Sequence, residues 1–62
     1  MLITVKEDKV THYFNYNQVT RFTVYDDDSL IIYFNSGSSL FIKSGGKEMM
    51  QGIERTTSIK VI

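Results

Sequence analysis

Five consecutive apolar residues, Leu30-Ile31-Ile32-Tyr33-Phe34, constrain this chain more than any other feature. In an extended strand, successive side chains point to opposite sides of the sheet. Leu30, Ile32 and Phe34 therefore share one face, while Ile31 and Tyr33 occupy the other. Neither side is dressed for water. The next extended stretch, Leu40-Phe41-Ile42-Lys43, repeats the pattern, with Leu40 and Ile42 on one side and Phe41 on the other. One face needs the chain's own core and the other needs a second surface.

Length sharpens the problem. A single domain of 62 residues is close to the lower limit for independent folding, because a chain of about 60 residues buries only about 60% of its unfolded surface. Small domains compensate with disulfides, a structural metal or self-association. The chain has no cysteine and one histidine, His12, which excludes the first and leaves no nitrogen or sulfur ligand set for the second. Self-association or an unusually good core remains.

Seven basic residues balance seven acidic ones. A general nucleic-acid binder carries a basic excess to neutralise phosphates, and a nucleic-acid mimic carries an acidic one. No stretch approaches the ~18 apolar residues of a membrane span. The opening Met1-Leu2-Ile3-Thr4-Val5-Lys6 lacks the basic and long apolar regions of a secretion signal, so a cytoplasmic location without membrane contact is expected.

Periodicity predicts a β-rich α+β fold: an antiparallel meander of five or six strands with one short C-terminal helix packed on one face. Strands are expected at 2–6, 10–14, 19–25, 30–34 and 40–43, with a terminal strand at 59–62 that pairs with the first strand or with another chain. Val10, His12 and Phe14 form the alternate set of the second strand, and Asn15 to Gln18 reads as a turn. Val19 has the opposite parity from Phe22 and Val24, which predicts a bulge near Thr20 and Arg21. Asp26-Asp27-Asp28 forms a hairpin tip that sets Val24 opposite Leu30 and Phe22 opposite Ile32. A three-residue loop, Asn35-Ser36-Gly37, places Gly where a left-handed residue is needed, so that Ile32 faces Leu40 and Ile31 faces Phe41. The helix is expected over 47–55, capped by Ser44 or a neighbouring Gly, with Met49, Met50 and Ile53 in one stripe.

These registers gather Tyr25, Ile31, Tyr33 and Phe41 on the face away from the helix, with Arg21 opposite Tyr33 and Lys43 beyond Ile31. Three readings of that face are open. Tyr, Phe and Arg are enriched at protein interfaces, which favours a homodimer or partner-protein surface. Aromatic rings beside Arg or Lys also make a platform for stacking single-stranded RNA or DNA. Alternatively Tyr16, the loops or the terminal strand fold over the face. Other constellations carry less. The three aspartates lack the alternating spacing and Gly of a calcium loop. Ser44-Gly45-Gly46-Lys47 departs from a phosphate-binding loop, with Phe41 at the first Gly position and Glu48 after the Lys. His12 has no partner at a catalytic spacing and reads as a half-buried, hydrogen-bonded side chain. No nucleophile with a positioned base emerges, so neither an enzyme nor a cofactor is expected.

From Thr11 to Ile53 the chain resembles the small FlbD family of flagellar proteins. Phe14-Asn15, Val19, Leu30-Ile31-Ile32, Asn35-Ser36-Gly37, Leu40-Phe41-Ile42 and Met50-Ile53 carry the likeness, with Tyr16 where that family usually has Pro. In length, in the opening Met1-Leu2-Ile3 and in five strands followed by a helix, it also resembles the CsrA family of RNA-binding regulators. That second resemblance implies an intertwined dimer, with Lys43 nearest to the family's basic residue before the helix. The resulting expectation is a non-enzymatic interaction or regulatory module, such as a small inhibitor or adaptor, working through Arg21, Tyr25, Ile31, Tyr33, Phe41 and Lys43. Its alternative is a single-stranded nucleic-acid regulator using the same face.

Overall fold

A computed structural model of the chain describes residues 1–57. The elements are β1 (Leu2–Glu7), β2 (Val10–Asn15), β3 (Val19–Val24), β4 (Leu30–Phe34), β5 (Ser39–Ile42) and α1 (Gly46–Thr57). The strand expected at 59–62 lies outside the described residues. All pairing is antiparallel, but it falls into two sheets, β1-β2 and β3-β4-β5, rather than one continuous meander. The break sits at Tyr16–Gln18, which tightens into a single 3₁₀ turn. This turn is tied at both ends. The Tyr16 N–H donates to the Met1 carbonyl (2.8 Å), and the Asn35 N–H donates to the Gln18 carbonyl (2.8 Å). The chain is thereby redirected from β1 toward the end of β4, and β3 takes β4 rather than β2 as its neighbour.

Within the three-stranded sheet the expected registers hold. Val24 pairs with Leu30, Phe22 with Ile32 and Arg21 with Tyr33, while Ile42, Phe41 and Leu40 pair with Leu30, Ile31 and Ile32. Thr20 is the extra residue of a bulge, since Val19 pairs with Phe34 and Arg21 with Tyr33. Its hydroxyl donates to the Tyr33 carbonyl (3.3 Å). The bulge turns Val19 toward the core despite its parity, and like Phe22 and Phe34 it packs half-buried against the core. Gly37 adopts a φ of +91° in the β4–β5 loop, the left-handed position that suits glycine.

The core joins both sheets and the helix. Ile3 and Val5 from β1, Leu30 and Ile32 from β4, Ile42 from β5, and Met50 and Ile53 from α1 are buried together. Phe14 meets Phe34 edge-on, with ring centroids 5.2 Å apart, and Tyr16 stacks on Phe22 at 6.4 Å. These two pairs close the seam between the sheets, and such contacts add ~0.5–1.5 kcal/mol each beyond area burial. Val10 departs from the expected inward set and is exposed, because it closes the β1–β2 turn opposite Glu7. His12 and Phe14 are half-buried.

The helix starts one residue before the expected 47 and runs two residues past 55. Its cap is not local. Asp28, at the β3–β4 tip, accepts the Gly45 N–H on Oδ2 (2.9 Å) and the Lys47 N–H on Oδ1 (2.9 Å). Its main-chain carbonyl accepts the Gly46 N–H (2.8 Å). One acidic residue distant in sequence thus satisfies three donors at the helix start, where the helix dipole also favours a negative charge. The approach requires glycine at 46. A β-carbon there would lie 2.8 Å from Leu30 Cβ and 2.9 Å from the Asp28 carbonyl oxygen.

Candidate interaction face

Leu30, Ile32 and Ile42 are fully buried on the core side of the three-stranded sheet. The other side is built from two cross-strand rows, Thr23-Ile31-Phe41 and Arg21-Tyr33-Ser39, with Tyr25 following β3. Phe41 is 56% exposed and Tyr25 45%, whereas Ile31 and Tyr33 are half-buried between their neighbours. The Arg21 guanidinium lies over the Tyr33 ring, 4.2 Å from its centroid. This contact holds a cation on an aromatic plane and shields Tyr33 in part. Arg21 is itself exposed, and among the described residues no carboxylate pairs with it. Thr23 belongs to the face and lay outside the expected set; its place beside Ile31 follows from the same alternation that located Tyr25.

The structure brings Arg21, Ile31, Tyr33 and Phe41 together. Lys43 follows β5 as an exposed residue beside the start of α1, at the end of the sheet opposite to Arg21. Tyr16 does not cover the face. Its ring stacks on Phe22, on the core side, because the 3₁₀ turn points it back between the sheets. Beside Arg21 a shallow depression of about 400 Å³ is lined by Thr20, Arg21, Tyr33, Phe34, Gly37 and Ser38. A larger groove of about 670 Å³ runs between β1 and α1, lined by Leu2 to Lys6 and by helix residues including Glu48 and Met49. It shares no residue with the open face.

The three aspartates of the hairpin tip have separate tasks. Asp28 holds the helix. Asp27 accepts the Ser29 hydroxyl (2.6 Å) and the Ser29 N–H (3.0 Å) on Oδ1, which together hold its carboxyl below the ordinary carboxylate pKa. Asp26 is exposed and makes no such bond among the described residues. The tip is thus a turn and a helix clamp, and among the described residues no three metal-ligating side chains gather.

Within Ser44-Gly45-Gly46-Lys47 the N–H groups of Gly45, Gly46 and Lys47 are taken up by Asp28, and the close approach accounts for Gly46 without a phosphate. His12 is half-buried as expected, but without the expected hydrogen bond. Its Nε2 lies 3.5 Å from Glu7 Oε1, across the β1–β2 hairpin, and makes no hydrogen bond among the described residues. No helix among the described residues is long and apolar enough to cross a membrane.

No family model, curated protein or solved structure matches this chain at a significant level, so the chemistry of the open face is read from its own residues.

Proposed function

We propose that this chain is a non-enzymatic protein-interaction module whose working surface is the open face of the three-stranded sheet. The observation that carries the reading is the exposure of Phe41 and Tyr25 beside an Arg21–Tyr33 stack that the described residues leave uncovered. Binding buries Ile31, Tyr33 and Phe41 against a second protein surface, with Arg21, Tyr25 and Thr23 at its rim. Energy concentrates in the aromatic anchors, as in most interfaces. An FlbD-like assignment, resting on the Asn15 turn and the Asn35-Ser36-Gly37 hairpin, belongs to the same proposal.

The test compares the wild type with the Phe41→Ser variant and the Tyr33→Ser/Phe41→Ser double variant, all verified as folded by circular dichroism. Solution mass and bound proteins after purification are the readouts. An assembly or a co-purifying protein that is lost in both variants supports the reading; identical behaviour of all three chains overturns it. The stacked Arg21 and the polar depression beside it favour a second reading, single-stranded nucleic-acid binding. That reading requires affinity for an oligonucleotide that weakens with salt and with Arg21→Ala.

A further inference from the structure

We infer that the groove between β1 and α1 is a strand-addition site whose occupant is the segment that follows the helix, Ser58-Ile59-Lys60-Val61-Ile62, paired with the outer edge of β1 in the same molecule. The groove, about 670 Å³, touches every residue from Leu2 to Lys6. A cavity lying over one face of a strand meets alternate residues, so this one runs along the strand's edge. β2 holds the opposite edge along the whole of β1, and among the described residues no strand pairs with the groove side. The two-residue loop Asp8-Lys9, with Asp8 at a φ of +52°, makes Glu7 and Val10 a hydrogen-bonded pair. The bond from the Tyr16 N–H to the Met1 carbonyl continues the same phase. Alternation then turns the main-chain groups of Ile3 and Val5 toward β2, and the N–H and C=O of Leu2, Thr4 and Lys6 toward the groove. An edge of that kind is a template for a further extended segment.

Three features select residues 58–62. The first is reach. α1 forms the second wall of the groove and stops at Thr57, one turn past the last lining residue, Ile53. From Thr57 back to Glu48 the helix is about 14 Å long at ~1.5 Å per residue. Ser58 to Ile62, turning back and running extended, also covers about 14 Å at ~3.4 Å per residue. The second is pattern. Ile59, Val61 and Ile62 are β-branched, and Ile59 and Val61 share one side of an extended chain with Lys60 on the other. The groove meets them with apolar surface, Leu2 being 60% exposed and Met49 half-buried. The third is Gly52, which lines the helix wall. Glycine inside a helix costs about 1 kcal/mol relative to Ala. A β-carbon there would meet no atom within 4 Å, so packing among the described residues does not call for it. A main chain laid in the groove does, because it passes close to the helix wall. The pairing closes an edge otherwise open to other chains and is independent of the reading above.

The experiment is amide hydrogen exchange by NMR on the full chain, with Ile59→Ser/Val61→Ser and Gly52→Leu as variants. The first removes the apolar contact, and the second builds a side chain into the groove. Ile3 and Val5, bonded to β2, report on the fold as a whole; Thr4 and Lys6 report on the added strand. In the wild type Thr4 and Lys6 are expected to be protected equally at every protein concentration. Each variant speeds these two about tenfold relative to Ile3 and Val5, the loss expected for roughly one net main-chain bond. Wild-type Thr4 and Lys6 that exchange as fast as the exposed turn residue Lys9 overturn the inference, and so does equal protection in all three chains. Protection that appears only as concentration rises, together with a dimer mass, gives the edge to a second copy and overturns pairing within the molecule. If all four amides speed up together, the segment supports the fold at large rather than the β1 edge, and the inference falls.

Discussion

Replacing Asp28 with Ala isolates the contact on which the relation of helix to sheet depends. The carboxylate accepts two main-chain N–H groups at 2.9 Å, and both donors lose their partner in the variant. Loss of an N-cap costs about 0.5–2 kcal/mol, and a charged acceptor places this site in the upper half of that range. Asp28 also has a φ of +71°. Alanine tolerates that left-handed geometry poorly, adding roughly 1 kcal/mol. The expected total is about 2–3 kcal/mol, against the ~3–9 kcal/mol that a chain of this length typically possesses.

Urea titration followed by far-UV circular dichroism and tyrosine fluorescence measures the loss. With a slope near 1 kcal/mol per molar, the midpoint should fall by about 2–3 M. Asp28→Gly separates the two contributions, since it accepts the backbone angle but offers no oxygen. It should recover roughly the 1 kcal/mol of backbone cost and no more. Asp28→Asn keeps one acceptor oxygen and should fall between Gly and wild type. If Asp28→Ala costs less than about 0.5 kcal/mol, the magnitude of a neutral surface change, the cap does not hold the helix and the argument fails.

Gly46→Ala should cost about 1–3 kcal/mol by overpacking, because the new carbon lies 2.8 Å from Leu30 Cβ; an unchanged thermal midpoint would show that the helix start yields freely. Ile32→Ala, at a fully buried site, should cost about 2–5 kcal/mol in the same urea assay. The Asp27 carboxyl is held below its ordinary pKa, so the stability it gives the tip is present above the unfolded carboxylate's pKa and is lost as pH falls through the lower folded value. Its side-chain carboxyl resonance should therefore titrate below the usual aspartate range, and Ser29→Ala should move the midpoint upward; no movement would assign the shift to another cause.

Strand positions and registers were legible because parity and turn chemistry agreed. The Gly37 loop and the Asp tip each fixed the same two sets of residues on β4, and the odd parity of Val19 announced its bulge. The two-sheet arrangement was not legible. Asn15 to Gln18 reads equally well as a hairpin turn or as a 3₁₀ redirection, and what decides is tertiary: two main-chain bonds to Met1 and Asn35, with Tyr16 stacked on Phe22. The helix cap was hidden for the same reason. Caps are normally found in the residues just before a helix, whereas here the acceptor stands 17 positions earlier. Arg21, Ile31, Tyr33 and Phe41 were found by alternation alone, but alternation is silent on how far Arg21 screens Tyr33.

Three consecutive aspartates look redundant in sequence, and their different surroundings predict that they are not. Asp28 points into the molecule and clamps α1; Asp27 closes its own turn through Ser29; Asp26 is left to the solvent. Neutralising each to Asn should therefore give three separable phenotypes. Asp28→Asn should lower the urea midpoint with the largest effect. Asp27→Asn should abolish the low-pH titration at Ser29 while moving stability little, because an exposed group of this kind is well screened. Asp26→Asn should leave both untouched. If all three variants lose stability alike, the tip acts as one undivided negative patch and the separate tasks assigned to its aspartates have no basis.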